Sequence, residues 1–170
     1  FEVMPMSVRH LLPAAVLASA LALHGCATNP VTGKSDVVTM SAAQEVELGR
    51  KMHPQVLQQY GRYSDEALQA YVNDIGQRIA RISHLPDLQF TFTVLDSPEI
   101  NAFALPGGYV YITRGIMAYL NSEAQLVAVL GHEVGHVTAR HAVRQQSGAT
   151  AAGVGATVIG ILTGSGDLAN

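Results

Sequence analysis

The stretch Gly131-His132-Glu133-Val134-Gly135-His136 constrains this chain more than any other. Two histidines four residues apart lie one helical turn apart on a single face, so both imidazoles can reach one ion. Glu133 occupies a neighbouring part of that surface and can contact a water held by the ion. One Zn²⁺ suits the set: two neutral imidazoles, one further protein ligand and an open fourth position for water. His132 and His136 are therefore the expected metal ligands and Glu133 the expected catalytic base. The competing reading is two histidines on an ordinary helix beside a solvated glutamate.

The surrounding residues predict a helix from about Glu123 to Gln145, capped at Asn121 or Ser122, with Gln125 three residues beyond the serine. Leu126, Val127, Val129, Leu130, Val134 and Val137 make it apolar on most sides, which predicts a buried helix. Its two histidines and glutamate then sit inside a core, where unpaired polar groups are unfavourable and a metal would satisfy the histidines. Gly131 and Gly135, each about 1 kcal/mol worse than Ala in a helix, imply close approach of another backbone or a substrate.

A zinc site needs a third protein ligand. On a continuous helix at about 100° per residue, Glu123 and His141 point away from His132 and His136. The metzincin completion is excluded, because its positions are Ala142 and Ala139 here. His53, His84 and Glu99 could ligate only by tertiary accident. The expectation is a third ligand beyond Asn170, which makes residues 41–170 the N-terminal part of a catalytic domain.

Upstream, Ser41 and Gln44 form a capping box for a helix from about Ala42 to Met52, which Pro54 is expected to break or kink. Ser64 is expected to cap a second helix, whose Leu68, Tyr71, Val72, Ile75, Ile79 and Ile82 recur at helical spacing. Phe90, Phe92 and Val94 alternate with Thr91 and Thr93, as in a half-buried strand. Strands near Asn101–Leu105 and Tyr109–Thr113 follow, joined through Pro106-Gly107-Gly108. A short helix is expected near Ile116–Leu120. The pattern predicts a small antiparallel sheet between helices.

Leu11 to Leu23 is an apolar run of thirteen residues behind Arg9, with Met4 or Met6 the expected start. That is short for a bilayer span and right for a signal-peptide core. It ends in Leu23-His24-Gly25-Cys26, which resembles a bacterial lipobox apart from His24. Residues 1–26 thus read as a lipoprotein signal peptide, with Cys26 lipidated and Ala27 compatible with outer-membrane sorting. Residues 27–40 read as a tether. Cys26 is the only cysteine, so no internal disulfide or paired-cysteine metal site can form. Net charge is −3 and no basic stripe carries interleaved aromatics, which argues against nucleic acid. Ser147 to Gly166 is rich in Gly and Ala, and fits a mobile loop, a buried helix or a membrane-surface segment.

Several segments together resemble a known family. They are Asn101-Ala102-Phe103-Ala104-Leu105-Pro106-Gly107-Gly108, Val110-Tyr111-Ile112-Thr113-Arg114-Gly115, and Glu123 through His136 with Arg140-His141. In order and spacing they are similar to the HtpX/BepA/Oma-type zinc endopeptidases. These are minigluzincin-like enzymes that include the prenyl-protein proteases and the mitochondrial inner-membrane quality-control peptidase. The likeness runs from about Asn29 to Gln146. It implies an α+β zincin-like fold, mostly helical, holding one Zn²⁺ per domain. His132 and His136 would ligate and Glu133 would act as base, with the third ligand a Glu on a later helix. The strand–turn–strand unit would line the cleft, with Asn101, Ala102, Phe103, Gly107 and Gly108 contacting an extended polypeptide. The implied role is quality control of misfolded or outer-membrane proteins, from a lipid anchor on the periplasmic face of the outer membrane. A non-enzymatic chaperone or assembly lipoprotein using the same cleft is the alternative.

Overall fold

The structure is a computed structural model that describes residues 26–33, 35–37 and 40–151. The expected signal-peptide core and most of the Gly/Ala-rich segment lie outside the described residues. Five strands and five helices are described: β1 (Cys26–Thr28), β2 (Ser35–Val37), α1 (Ala42–Tyr60), α2 (Glu66–Arg81), β3 (Thr91–Leu95), β4 (Ala102–Leu105), β5 (Tyr109–Thr113), α3 (Arg114–Met117), α4 (Glu123–Thr138) and α5 (His141–Ala151). None of these helices is long and apolar enough to cross a membrane.

Local chemistry explains most boundaries. Ser41 Oγ accepts from the Gln44 N–H, and Gln44 Oε1 accepts from the Ser41 N–H at 2.8 Å, so the expected capping box forms. Pro54 does not break α1, which runs on to Tyr60 and closes on Gly61 at φ +73°. Its buried face of Glu45, Gly49, Met52 and Val56 is continuous across the proline, and packing outweighs one missing N–H. The cap of α2 is Asp65 rather than Ser64, through Asp65 Oδ1 and the Leu68 N–H at 3.0 Å.

The stretch expected to be a tether forms an antiparallel ribbon instead, with Cys26 opposite Val37 and Thr28 opposite Ser35. Asn29 makes the turn. It is buried, and its Oδ1 accepts from the Val31 and Thr32 N–H groups at 2.9 and 3.0 Å. The ribbon packs against α5 through β2.

The three-stranded sheet has the order β3-β5-β4 and is mixed. β4 and β5 pair antiparallel as expected, but β3 pairs parallel with β5, Phe92 opposite Val110 and Val94 opposite Ile112. Alternation along a strand does not encode the direction of its neighbour, which is why the antiparallel expectation fails here. Gly107 and Gly108 adopt φ +78° and +93° in the β4–β5 turn. Gly49 lets α1 lie directly on that turn, because a Cβ there would collide with the Pro106 carbonyl.

Both faces of the sheet are covered. On one, Phe90, Phe92, Val94, Ala102, Val110 and Ile112 meet Val72 and Ile75 of α2 and Leu126, Leu130, Val134 and Val137 of α4. On the other, Leu95, Phe103, Leu105 and Tyr111 meet Met52 and Val56 of α1. Within the first layer α2 covers β3, and α4 runs along β4 at the opposite edge.

Candidate active site

α4 starts at Ser122, whose Oγ accepts from the Gln125 N–H, and Gln125 Oε1 accepts from the Asn121 N–H at 2.6 Å. It ends at Thr138, well short of the expected Gln145. Ala139 caps it, and Arg140 follows in the left-handed region at φ +56°. The Arg140 N–H bonds the Val137 carbonyl, while its own carbonyl accepts from the Arg144 N–H to begin α5. One residue thus stops one helix and starts the next.

His132 and His136 come together as their spacing predicts. Their Nε2 atoms stand 2.9 Å apart and their rings meet edge-on. The surrounding core was expected to enclose them, but His132 is exposed and His136 half-buried. Leu126, Leu130, Val134 and Val137 turn to the sheet, whereas Ala124, Val127, Ala128, His132 and Gly135 face outward. Gly131 and Gly135 have open space where a Cβ would sit, so no described backbone approaches them.

Glu133 alone of the three is buried, at 7% exposure. Burial raises its carboxyl from the usual range to about 7. That value suits a group exchanging protons near neutral pH.

The break after Thr138 overturns the expectation that His141 points elsewhere. Its Nδ1 lies 2.7 Å from Nδ1 of His136. On a continuous helix five residues would turn it about 140° away, and the left-handed Arg140 swings it back. Arg140 is held by Glu45 of α1. Its Nε donates to Glu45 Oε1 at 2.6 Å, its Nη2 donates to the same oxygen, and Nη2 also donates to the Met40 carbonyl at 2.8 Å. Both side chains are about nine-tenths buried. Burial raises the Glu45 carboxyl, and the guanidinium partly offsets that rise. Glu45 escaped the sequence reading because a glutamate in a first helical turn reads as a dipole partner. Arg140 was marked only by the family resemblance, and His141 otherwise only as a ligand candidate rejected by its helix angle.

The remaining candidates are placed as follows. Glu123 accepts from Tyr71 Oη at 3.1 Å and pairs with Arg78, both on α2. His53 Nδ1 is 2.7 Å from the hydroxyl of buried Tyr111. Among the described residues no group of three or more His, Cys, Asp or Glu is arranged to hold a metal, so His84 and Glu99 do not complete the set. Ala102 lies on β4 facing the α4 layer, and half-buried Asn101 precedes it. The Phe103 ring turns to the other face, stacked on Tyr111 at 4.9 Å between ring centres, so it does not line the site. The Gly107–Gly108 turn is packed on Val46 and Gln89 rather than offered to a ligand. Cys26 lies in β1.

The sequence profile of peptidase family M48 matches residues 66–167, more than half of the chain. The chain belongs to peptidase family M48. M48 peptidases depend on a metal, typically zinc. The beta-barrel assembly-enhancing protease of Escherichia coli (strain K12) is 35% identical over 133 residues, covering 76% of this chain and 27% of that protein. Its counterpart in Yersinia pestis is 33% identical over 115 residues, covering 68% and 24%. The mitochondrial metalloendopeptidase OMA1 of Schizosaccharomyces pombe is 31% identical over 121 residues, covering 68% and 35%. The matched part of this M48 chain therefore spans about a quarter to a third of these relatives.

The imidazole pair fits the family's metal. Nitrogens bound to one tetrahedral zinc at about 2.1 Å stand roughly 3.4 Å apart. The observed 2.9 Å between the Nε2 atoms is within a small ring rotation of that.

Proposed function

We propose that this protein is a zinc-dependent endopeptidase of the bacterial envelope that cleaves misfolded or unassembled polypeptides. The observation that carries this is the pair of Nε2 atoms converging beside buried Glu133 on α4, the helix that runs along edge strand β4. His132 and His136 hold the ion, with a third donor from outside the described residues. Bound zinc supplies Lewis acidity toward the scissile carbonyl and a nucleophilic water at neutral pH.

The chain's own residues do the rest. Glu133 takes a proton from the attacking water on its carboxylate and delivers it to the departing amine nitrogen. A carboxyl near pH 7 can perform both halves of that transfer. Edge strand β4 orients the substrate. The Thr113 N–H bonds the Asn101 carbonyl, and alternation then directs the N–H and C=O groups of Ala102 and Ala104 away from β5. An extended peptide adds there as a further strand, with Asn101 at its end.

The location rests on the lipobox-like residues before Cys26 and on the bacterial relatives, which are named for β-barrel assembly. Cys26 carries the lipid that holds the protein to the periplasmic face of the outer membrane. Glu133→Gln is expected to retain zinc and to lose casein cleavage by at least a hundredfold. Undiminished cleavage by that variant would overturn the mechanism. Client binding by a wild-type protein that holds no zinc would favour the chaperone alternative.

A further inference from the structure

We propose that His141, Arg140 and Glu45 form a latch that presets His136 for the metal, an inference that rests on the ligand role given to His136 above. A ring that offers Nε2 to an ion carries its proton on Nδ1. That N–H needs an acceptor, and the acceptor fixes both the tautomer and the orientation of the ring. His141 Nδ1, 2.7 Å from His136 Nδ1, is in place to accept. A neutral His141 then keeps its own proton on Nε2, which faces away from His136. His141 is therefore a positioning residue and not the missing third ligand, since its near nitrogen is engaged with His136 itself.

His141 reaches that place only because the chain turns left-handed at Arg140. This conformation is unfavourable for a residue with a side chain, and persists where the surroundings over-determine it. Here the surroundings are the Glu45 carboxylate and the Met40 carbonyl, both bound by the guanidinium. The acceptors lie 95 and 100 residues away in sequence, so the N-terminal end of α1 holds the geometry at the far end of α4. A buried ion pair is a poor source of stability compared with apolar packing, but removing either partner strands the other. That makes the pair suited to enforcing one arrangement, and the arrangement it enforces is the contact between His141 and His136.

The test reads zinc affinity directly, by competition with a chromophoric chelator, together with the urea midpoint of the metal-free protein. His141 is exposed, so its variants are expected to fold with an unchanged midpoint. His141→Ala should weaken zinc binding by about 10–100-fold. His141→Asn, which keeps a side-chain acceptor, should recover part of the loss. Arg140→Gly permits the left-handed turn but removes the guanidinium, and Glu45→Gln removes the charge that holds it. Each should weaken zinc binding, with little added loss when combined with His141→Ala, because all act through one contact. Losses that multiply in the combined variants overturn the latch. An affinity for His141→Ala within about twofold of wild type overturns the role of His141 and leaves the peptidase reading standing. Unchanged zinc binding by His132→Ala removes the peptidase reading and this inference together.

Discussion

The two flanks of the central sheet treat their polar groups in opposite ways. On the β3 flank the outward groups of Val94 and the Phe90 carbonyl are met by α2 and the loop before it. Gln69 brackets Val94, its Nε2 donating to the Val94 carbonyl and its Oε1 accepting from the Val94 N–H, both at 2.9 Å. The Tyr63 N–H also bonds the Val94 carbonyl, and Gln77 Nε2 donates to the Phe90 carbonyl at 2.8 Å. On the β4 flank the outward groups of Ala102 and Ala104 meet no described partner, and the carboxyl of Glu133, a largely buried residue, has no described hydrogen bond and keeps some contact with solvent. An edge that is sealed cannot recruit a strand, whereas an edge left open is a template for one. The closed flank builds the fold, and the open flank, which also carries the metal-site candidates, is the one proposed above to take a substrate.

The largest expected effect tests the open flank at Glu133. Burial raises its folded carboxyl from 4.5 to about 7. The native state therefore binds the proton more tightly than the unfolded chain, so wild-type stability falls as pH rises from about 4.5 through 7. Glu133→Gln removes that dependence. In metal-stripped protein the variant should gain up to about 3 kcal/mol relative to wild type between pH 4.5 and 8, read from urea midpoints. A difference that stays flat with pH would mean that the carboxyl is satisfied and the flanks are alike.

The closed flank is tested by Gln69→Leu, which keeps the volume and removes the bracket. The Val94 carbonyl retains Tyr63, but the Val94 N–H is left buried and unpaired. A loss of about 2 kcal/mol in unfolding free energy is expected. An unchanged urea midpoint would show that β3 does not need sealing.

How far the sequence announced this division depends on the kind of signal. The spacing of His132 and His136, the cap at Ser122 and the box at Ser41 and Gln44 are local, and local rules located them. The alternation of Phe90, Phe92 and Val94 assigned a core face correctly. It could not say that β5 lies between β3 and β4, because a pleated strand shows the same period in either pairing direction. Gln69 carries no signal in the sequence, since nothing in a helical pattern shows a glutamine reaching 25 residues ahead to bond a strand. The break at Arg140 lacked the Gly or Pro that marks such turns, and the arginine side chain is bonded to a glutamate 95 positions earlier. The turn at Asn29 was hidden for the reverse reason: a short polar run with Pro30 and Gly33 reads as linker until its side chain is seen to close a ribbon. Interactions spanning long stretches of sequence are what periodicity and capping rules omit.

Ala104 is the place where the comparison can be cut most finely. Its N–H points away from β5, so proline there removes no bond of the sheet, and edge strands tolerate proline at such positions. Ala104→Pro should therefore change unfolding free energy by less than about 1 kcal/mol. It removes one donor from the free edge and crowds the path of an added strand. Casein cleavage should fall at least tenfold, with zinc content unchanged, because neither histidine is touched. A fall in cleavage without a fall in stability assigns the open edge to substrate. A loss of stability as large as that of Gln69→Leu would mean that β4 is held from outside as firmly as β3, and the asymmetry between the flanks would be gone.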